Sequence, residues 1–466
     1  MSTAPLKYVG ATGVTTIIDP RFGTGDNPIQ PLTWSSGSSG HPQGVLVETD
    51  YTGATDASAD INAAIALAYD IGQATASSGG PYSVPVYLKS GILRLDSAIM
   101  ARRRTVLIGA GTRNTIIKPY GPTTAISAEA VGAAPDDMEF GHFQIDGANQ
   151  TSAGSAIPKG LYFTQARRVY VHDLWVQNTW ATGVGIDRIT GVIENCWATN
   201  CGRSNASRAA GTYPGNSGIG IGLGNLDGVG MQLTIVGNHC SGNSNYGIFI
   251  ESQGGVADTR GVVIVGNTCR DNGRSGIGDS GSLGAVIASN ICIDNDQAGV
   301  ALDYGSMGVS LDKGLPGRHV QITGNFVQGN RWGVYCLTAG QLGLEAPKIQ
   351  GNTIHANTDS GVYLELNGSA EHGNVWIAGN AISENGGHGV EATGTATADR
   401  LAITDNRIWD NVGSAVHVGT ATTSVRVTDN EAWGNGAGIF FDTAKGHGTP
   451  VSIDSAWIDG ADTLPA

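Results

Sequence analysis

The chain has 466 residues, of which 26 are Lys or Arg and 40 are Asp or Glu, for a formal net charge of −14; only 14% are charged and 6% aromatic, while Gly numbers 71. A surface this acidic disfavours nucleic acid and strongly anionic polymers, and an apolar share of 40% is too high for a disordered chain. No run is long and apolar enough to span a membrane, and the opening MSTAPLKYVG lacks the charged-then-apolar pattern of a secretory leader. The expectation is a chain used without secretion, or one whose leader has been removed.

Residues 1–55 show no repeat and hold turn-formers such as DPRFGTGDNP and SSGSSGHPQG, so they read as a lead-in or attachment segment. A short helix follows at about 56–72, from its Ala content and the spacing of Ile61, Ile65 and Ala68, with Asp56 or Ser58 as its cap. It would cover the open apolar end of whatever follows. Strand-like runs come next: VPVYLKSGILRLDS, TVLIGAGTRNTIIKP and MEFGHFQIDGANQ.

From about 160 to 442 one coil is written repeatedly. Its mark is a pair of asparagines five residues apart, as in Asn238/Asn243, Asn267/Asn272, Asn290/Asn295, Asn325/Asn330 and Asn352/Asn357. Asn195/Asn200 and Asp173/Asn178 are read as earlier copies in the same places. Each pair precedes an alternating run: GIFIE, GVALD, GVYLE, GVEAT. Self-similarity with short, two-residue-period segments means a β-solenoid. Identical side chains then stack at about 4.8 Å, the strand spacing, and the asparagines are structural, pairing their amides up the stack and tolerating the left-handed backbone of a bend. Cys240, Cys269 and Cys292 each follow a leading Asn by two residues and read as an inward column of small apolar groups. No metal site is read beside them, since no His or carboxylate recurs there at ligand spacing. Residues 56–455 are taken as the solenoid and 456–466 as a tail.

The opening residues also carry a resemblance. The helix DASADINAAI, then VPVYL…GIL, then LIGAG…TII resemble the start of pectate-lyase-like right-handed parallel β-helix proteins, among them phage tailspikes and tail depolymerases. The resemblance implies an all-β, single-stranded right-handed parallel β-helix with a short N-terminal capping helix. It implies a polysaccharide as substrate or ligand, an extracellular or virion-tail location, and a homotrimer as one assembly state. It carries over no catalytic motif: the Tyr-Gly-x-Asp-Pro-His stretch of mannuronan epimerases is missing, and Asp303-Tyr304-Gly305 does not match it.

Within the coils, the residue after each strand-opening Gly is apolar and faces inward, as does the residue two further on. The outward places then hold Tyr162, Phe249, Tyr335, Tyr363 and His417 in one column, and Asp187, Glu251, Asp303 and Glu365 in the other. Aromatics beside carboxylates suit a sugar groove. Insertions at 222–230, 253–260, 305–318, 338–345 and 368–373 project from the same corner and would wall it. A further one, 203–217, sits at another corner. The expected catalytic residues are Asp303 paired with Glu365 or Glu251, on alternate rungs about 9–10 Å apart. That spacing leans toward inverting hydrolysis. Asp279 occupies an inward place, either hydrogen-bonded or protonated inside, or turned to the cleft as a general acid. Substrate contacts are expected from Tyr335, Tyr363, Phe249, Asp187, Arg188 and Lys313. His172, His239 and His319 read as surface or core histidines, and His417 as a ligand candidate. A glycoside hydrolase with no cofactor is therefore expected. The alternatives are a non-catalytic glycan-binding tail or adhesion protein, and then a lyase, epimerase or glycosyl-transferring enzyme; lyase ranks lower because the groove offers few cations beyond Arg188 and Lys313.

Overall fold

The computed structural model describes residues 6–10, 13–17, 29–33, 42–74, 83–128, 136–152, 157–164, 166–187, 190–203, 219–225, 232–252, 259–280, 282–303, 319–338, 346–367, 373–395, 400–420, 424–441, 451–454 and 457–458. The chain forms two compact units, Met1–Trp197 and Ala198–Ala466. Both are built from one coil of three strands, each strand pairing in parallel with its counterpart in the next coil, so that three sheets run along each unit. The coils wind in the right-handed sense that parallel crossovers take.

In the first unit, sheet one runs through Pro42–Val47, Pro85–Tyr87, Val106–Ile108, Asp136–Gly141, Arg167–His172 and Thr190–Glu194. Sheet two takes Thr52–Asp56, Gly91–Leu95, Thr115–Pro119, Gln144–Asp146 and Trp175–Gln177. Sheet three takes Ile99–Ala101, Ile126–Ala128, Leu161–Thr164 and Val184–Asp187. Two antiparallel pairs precede them, Leu6–Gly10 with Gly13–Ile17 and Ile29–Thr33 with Pro42–Val47.

The helix Ser58–Ala74 forms where expected. Asp56 caps it, accepting from the Ser58 backbone N–H at 3.0 Å. Its apolar stripe of Ile61, Ala64, Ile65 and Ala68 is buried. Asn62 closes an edge that would otherwise be open. Its amide donates to the Ala98 carbonyl at 3.0 Å, and its oxygen accepts from Met100 N–H at 2.7 Å, along the terminal strand of sheet three.

In the second unit the asparagine pairs bracket the sheet-two strands from His239–Ser241 to Glu431–Trp433. Asn330 shows the pattern: its amide donates to Asn357 Oδ1 at 3.1 Å and to the Cys292 and Gln328 carbonyls at 3.1 and 3.0 Å. Its own oxygen accepts from the backbone and side chain of Asn295, both at 2.9 Å. A buried side chain saturated in this way fixes the corner without an orphaned polar group. The left-handed conformation falls on the residue before the ladder asparagine, as at Gly266, Asp271, Gly324 and Gly329. Asn195 and Asn200 are themselves left-handed, and Asn243 Oδ1 accepts from Cys201 N–H. The pair Asn195/Asn200 is thus one residue off the ladder, and Cys201 holds the ladder place. Cys240, Cys269 and Cys292 do stack in register, fully buried and free; burial raises the Cys269 thiol pKa well above its ordinary value.

Candidate functional site

Sheet three of the second unit carries the outward columns expected from the sequence. Backbone register aligns Tyr335, Tyr363, Glu391 and His417 on four successive rungs. In the other column Asp303 is level with Leu337, Glu365 and then Thr393, while Glu251 is level with Ser280. Register pairs Asp279 with Leu302, so Ser280 and Asp303 follow level with each other. Glu251, Asp303 and Glu365 therefore occupy alternate rungs of one column. The side chains of Glu251, Asp303 and Asp187 lie outside the described residues, as do Arg188, Lys313 and most of the insertions.

Aromatic rings within and between successive coils stack on one another, and this changes what they offer. Trp332, Tyr335 and Tyr363 form a pile in which each ring meets the other two, with centroids 4.6 Å apart for Trp332 and Tyr335 and 5.6 Å for the other two pairs, and planes within 13°. Tyr335 is only 8% exposed. Phe249 is 2% exposed, lying against Tyr246 at 4.3 Å, whose other neighbour is the Arg274 guanidinium. Expected as open sugar platforms, Phe249 and Tyr335 are instead packing rings. Trp332 and Tyr363 remain half-buried.

Glu365 stands over this pile. The Tyr335 hydroxyl donates to its Oε2 at 2.8 Å and the Asn367 amide to its Oε1 at 2.9 Å, fixing the carboxylate plane. Thr393 donates to the Tyr363 hydroxyl at 3.2 Å, and burial is the main reason that the Tyr363 phenol has a raised pKa, with Glu365 and Glu391 adding to it. Asp279 is wholly buried. Its Oδ1 accepts from Ser282 N–H at 3.0 Å and its Oδ2 from the Ser282 hydroxyl. The carboxylate is thus tied to the corner that follows its strand, and the cleft-facing alternative is not the one adopted.

One rung beyond Glu365 lies a polar cluster of which the sequence singled out only His417. Glu391 accepts from Ser360 Oγ at 2.5 Å and has His417 Nδ1 3.8 Å from its other oxygen. The His388 and His417 rings are 4.5 Å apart. Ser414 N–H donates to His388 Nδ1 at 2.8 Å, which leaves the neutral ring's proton on Nε2. Burial opposes ionisation of Glu391, but the adjacent His417, the hydrogen bond from Ser360 and the nearby His388 win, and its pKa is lowered. Burial lowers that of His388. Close backbone makes the cluster: a Cβ on Gly413 would fall 2.7 Å from His388 Nδ1, and one on Gly387 2.7 Å from Ser360 Oγ. The signal for Glu391 was present, since GVEAT puts it in the same outward place as Tyr363.

Residues 251–372 and 318–452 match the family model described as right handed beta helix region. No curated protein matches the chain. Among solved structures, the catalytic unit of a thermostable GH87 α-1,3-glucanase from Streptomyces thermodiastaticus aligns with 88% of this chain and 67% of its own, at 16% identity and a TM-score of 0.55. The A-module of the mannuronan C-5 epimerase AlgE6 of Azotobacter vinelandii aligns over 90% and 98%, at 17% identity and a TM-score of 0.46. PfbA, a surface adhesin of Streptococcus pneumoniae, aligns over 87% and 92%, at 12% and 0.48. These likenesses concern the fold.

Proposed function

We propose that this chain, a right-handed parallel β-helix of the pectate-lyase-like kind, binds an extended neutral glycan along sheet three of its second unit and hydrolyses it. The observation that carries the reading is Glu365, an outward carboxylate locked by Tyr335 and Asn367 and set in the same column as Asp303. Two donors aimed at one carboxylate hold its oxygens in a fixed orientation, which suits a base that activates water. Asp303, two rungs away at about 9–10 Å, is the acid partner, near the upper end of the separation used for inversion. The Ser360–Glu391–His388–His417 cluster lies one rung further on and supplies hydroxyl-binding donors and acceptors. Half-buried Tyr363 and Trp332 offer the apolar face for a sugar ring.

The experiment is a panel of bacterial and plant glycans assayed for new reducing ends and for ultraviolet absorbance of unsaturated products. New reducing ends without absorbance are expected. Asp303→Asn and Glu365→Gln should each lower turnover by about 10²–10⁴-fold while glycan binding persists. Absorbance would point to a lyase instead. Binding without turnover on every glycan would make the protein a recognition module, the second reading.

A further inference from the structure

We propose that His142, His172 and Asp173 in the first unit form a site for one divalent transition-metal ion of the zinc type. The site belongs to the first unit, whereas the glycan groove belongs to the second, and it rests on different observations. Its three donor atoms fall within 4.8 Å of one another. His172 Nδ1 is 2.9 Å from Asp173 Oδ2, and His142 Nδ1 is 3.9 Å from the same oxygen. Zinc bonds of about 2.0–2.2 Å in a tetrahedral set place donors some 3.3 Å apart, so small side-chain adjustments close the triangle.

The surroundings are built for it. Register pairs Gly141 with His172, which sets His142 level with Asp173, and His142 N–H donates to the Asp173 carbonyl at 3.2 Å. Both residues take the left-handed conformation, with φ of 62° and 47°. His172 is 6% exposed, and its ring lies over Gly141, where a Cβ would come within 2.4 Å of Cε1. Tyr170 stacks on the ring's other side at 4.3 Å and is itself held by its hydroxyl donating to Glu194. His172 Nε2 faces Glu139 Oε1 at 3.2 Å. A ligating histidine whose far nitrogen donates to a carboxylate has its tautomer fixed and its basicity raised, the usual support of a metal-bound imidazole.

Donor chemistry selects the ion. Two imidazoles and one carboxylate suit zinc, cobalt or nickel; calcium asks for six to eight oxygens. Three protein ligands leave a position for water or a ligand oxygen. His142 and Asp173 line a pocket of about 370 Å³ together with Arg113, Trp175, Asn195 and Trp197, so the exchangeable position faces that pocket. The other histidine–carboxylate cluster, at His388, Glu391 and His417, is less suited, because Ser414 N–H occupies His388 Nδ1 and Ser360 occupies one oxygen of Glu391.

The test is calorimetric titration of chelator-stripped full chain with Zn²⁺, backed by the visible absorption of the Co²⁺ form. One equivalent is expected to bind, with the intense visible bands of low-coordinate cobalt. His172→Ala and Asp173→Asn should abolish both signals while circular dichroism shows them folded. Glu139→Gln, which leaves all three ligands in place, should weaken binding by about 10–100-fold. His388→Ala, which removes no donor of this site, should leave the Zn²⁺ stoichiometry and the cobalt bands unchanged. The proposal is overturned by absent binding, by full binding in Asp173→Asn and Glu139→Gln, by loss of binding in His388→Ala, or by Ca²⁺ competing on equal terms.

Discussion

His388 and Glu391 show how burial and hydrogen bonding set charge one side chain at a time. His388 has its pKa lowered from 6.5, chiefly by burial. The unfolded chain therefore takes up a proton that the folded ring refuses, and its contribution to stability is whole above about pH 6.5 and lost as pH falls toward the folded value. For Glu391 burial acts to raise the pKa, yet the adjacent His417 and the Ser360 hydrogen bond bring it below 4.5. Its contribution is present above the unfolded value and is lost as pH falls through the folded one. Acid thus weakens the fold in two separate windows. In urea titrations across pH, His388→Asn should flatten the decline that begins near pH 6.5 and leave the one below pH 4.5 in place. A variant whose profile kept the upper decline would show that His388 does not govern it. The sequence disclosed little of this, because the His388 effect depends on a backbone N–H from the next coil meeting Nδ1.

At the level of the repeated corner, the asparagine ladder was readable and its mechanism only half so. The five-residue spacing identified the two corners that flank sheet two. It did not identify which residue bends: Gly, Asp, Ser, Ala or Glu before the asparagine takes positive φ, freeing the asparagine to spend every polar atom on hydrogen bonds. Asn195/Asn200 matched the spacing but not the register, since the bend and the ladder positions are adjacent and both accept Asn. The ladder's energetics follow from its saturation. Asn330→Ala would strand the Asn295 backbone N–H and amide, the Cys292 and Gln328 carbonyls, and part of the hydrogen bonding of Asn357. Buried groups left unpaired cost about 1–3 kcal/mol each before relaxation. A net loss of about 3 kcal/mol is expected, read as a lowered denaturant midpoint with faster amide exchange on both adjoining coils. A loss under about 0.5 kcal/mol would mean that water replaces the ladder, and would remove the asparagines from the account of stability.

For the whole molecule, fold and site were legible to different degrees for one reason. Inward residues and corner residues must repeat, because each coil supports the next, so periodicity exposes the fold. Outward residues are free of that constraint, and their exposure depends on what stacks beside them: Tyr335 and Phe249 kept their predicted column and lost their open face to rings three residues earlier in the chain, Trp332 and Tyr246, with in-register Tyr363 also against Tyr335. Net charge is the molecular property that bears most directly on the proposed ligand. At −14, the chain repels a polyanion at low ionic strength over a Debye length of about 10 Å at 0.1 M, shrinking to about 3 Å at 1 M. Arg331 lies over Trp332 at 4.0 Å and 3.8 Å from Asp359, so its charge is partly offset. A neutral glycan should therefore bind sheet three with an affinity that changes by less than about twofold between 0.1 and 1 M salt, since stacking and hydroxyl hydrogen bonds release no counterions. A uronate-rich glycan should bind weakly at low salt and gain affinity as repulsion is screened. Affinity that instead falls steeply with the logarithm of salt concentration is the signature of cationic contacts to a polyanion. That result would discard the neutral-glycan reading.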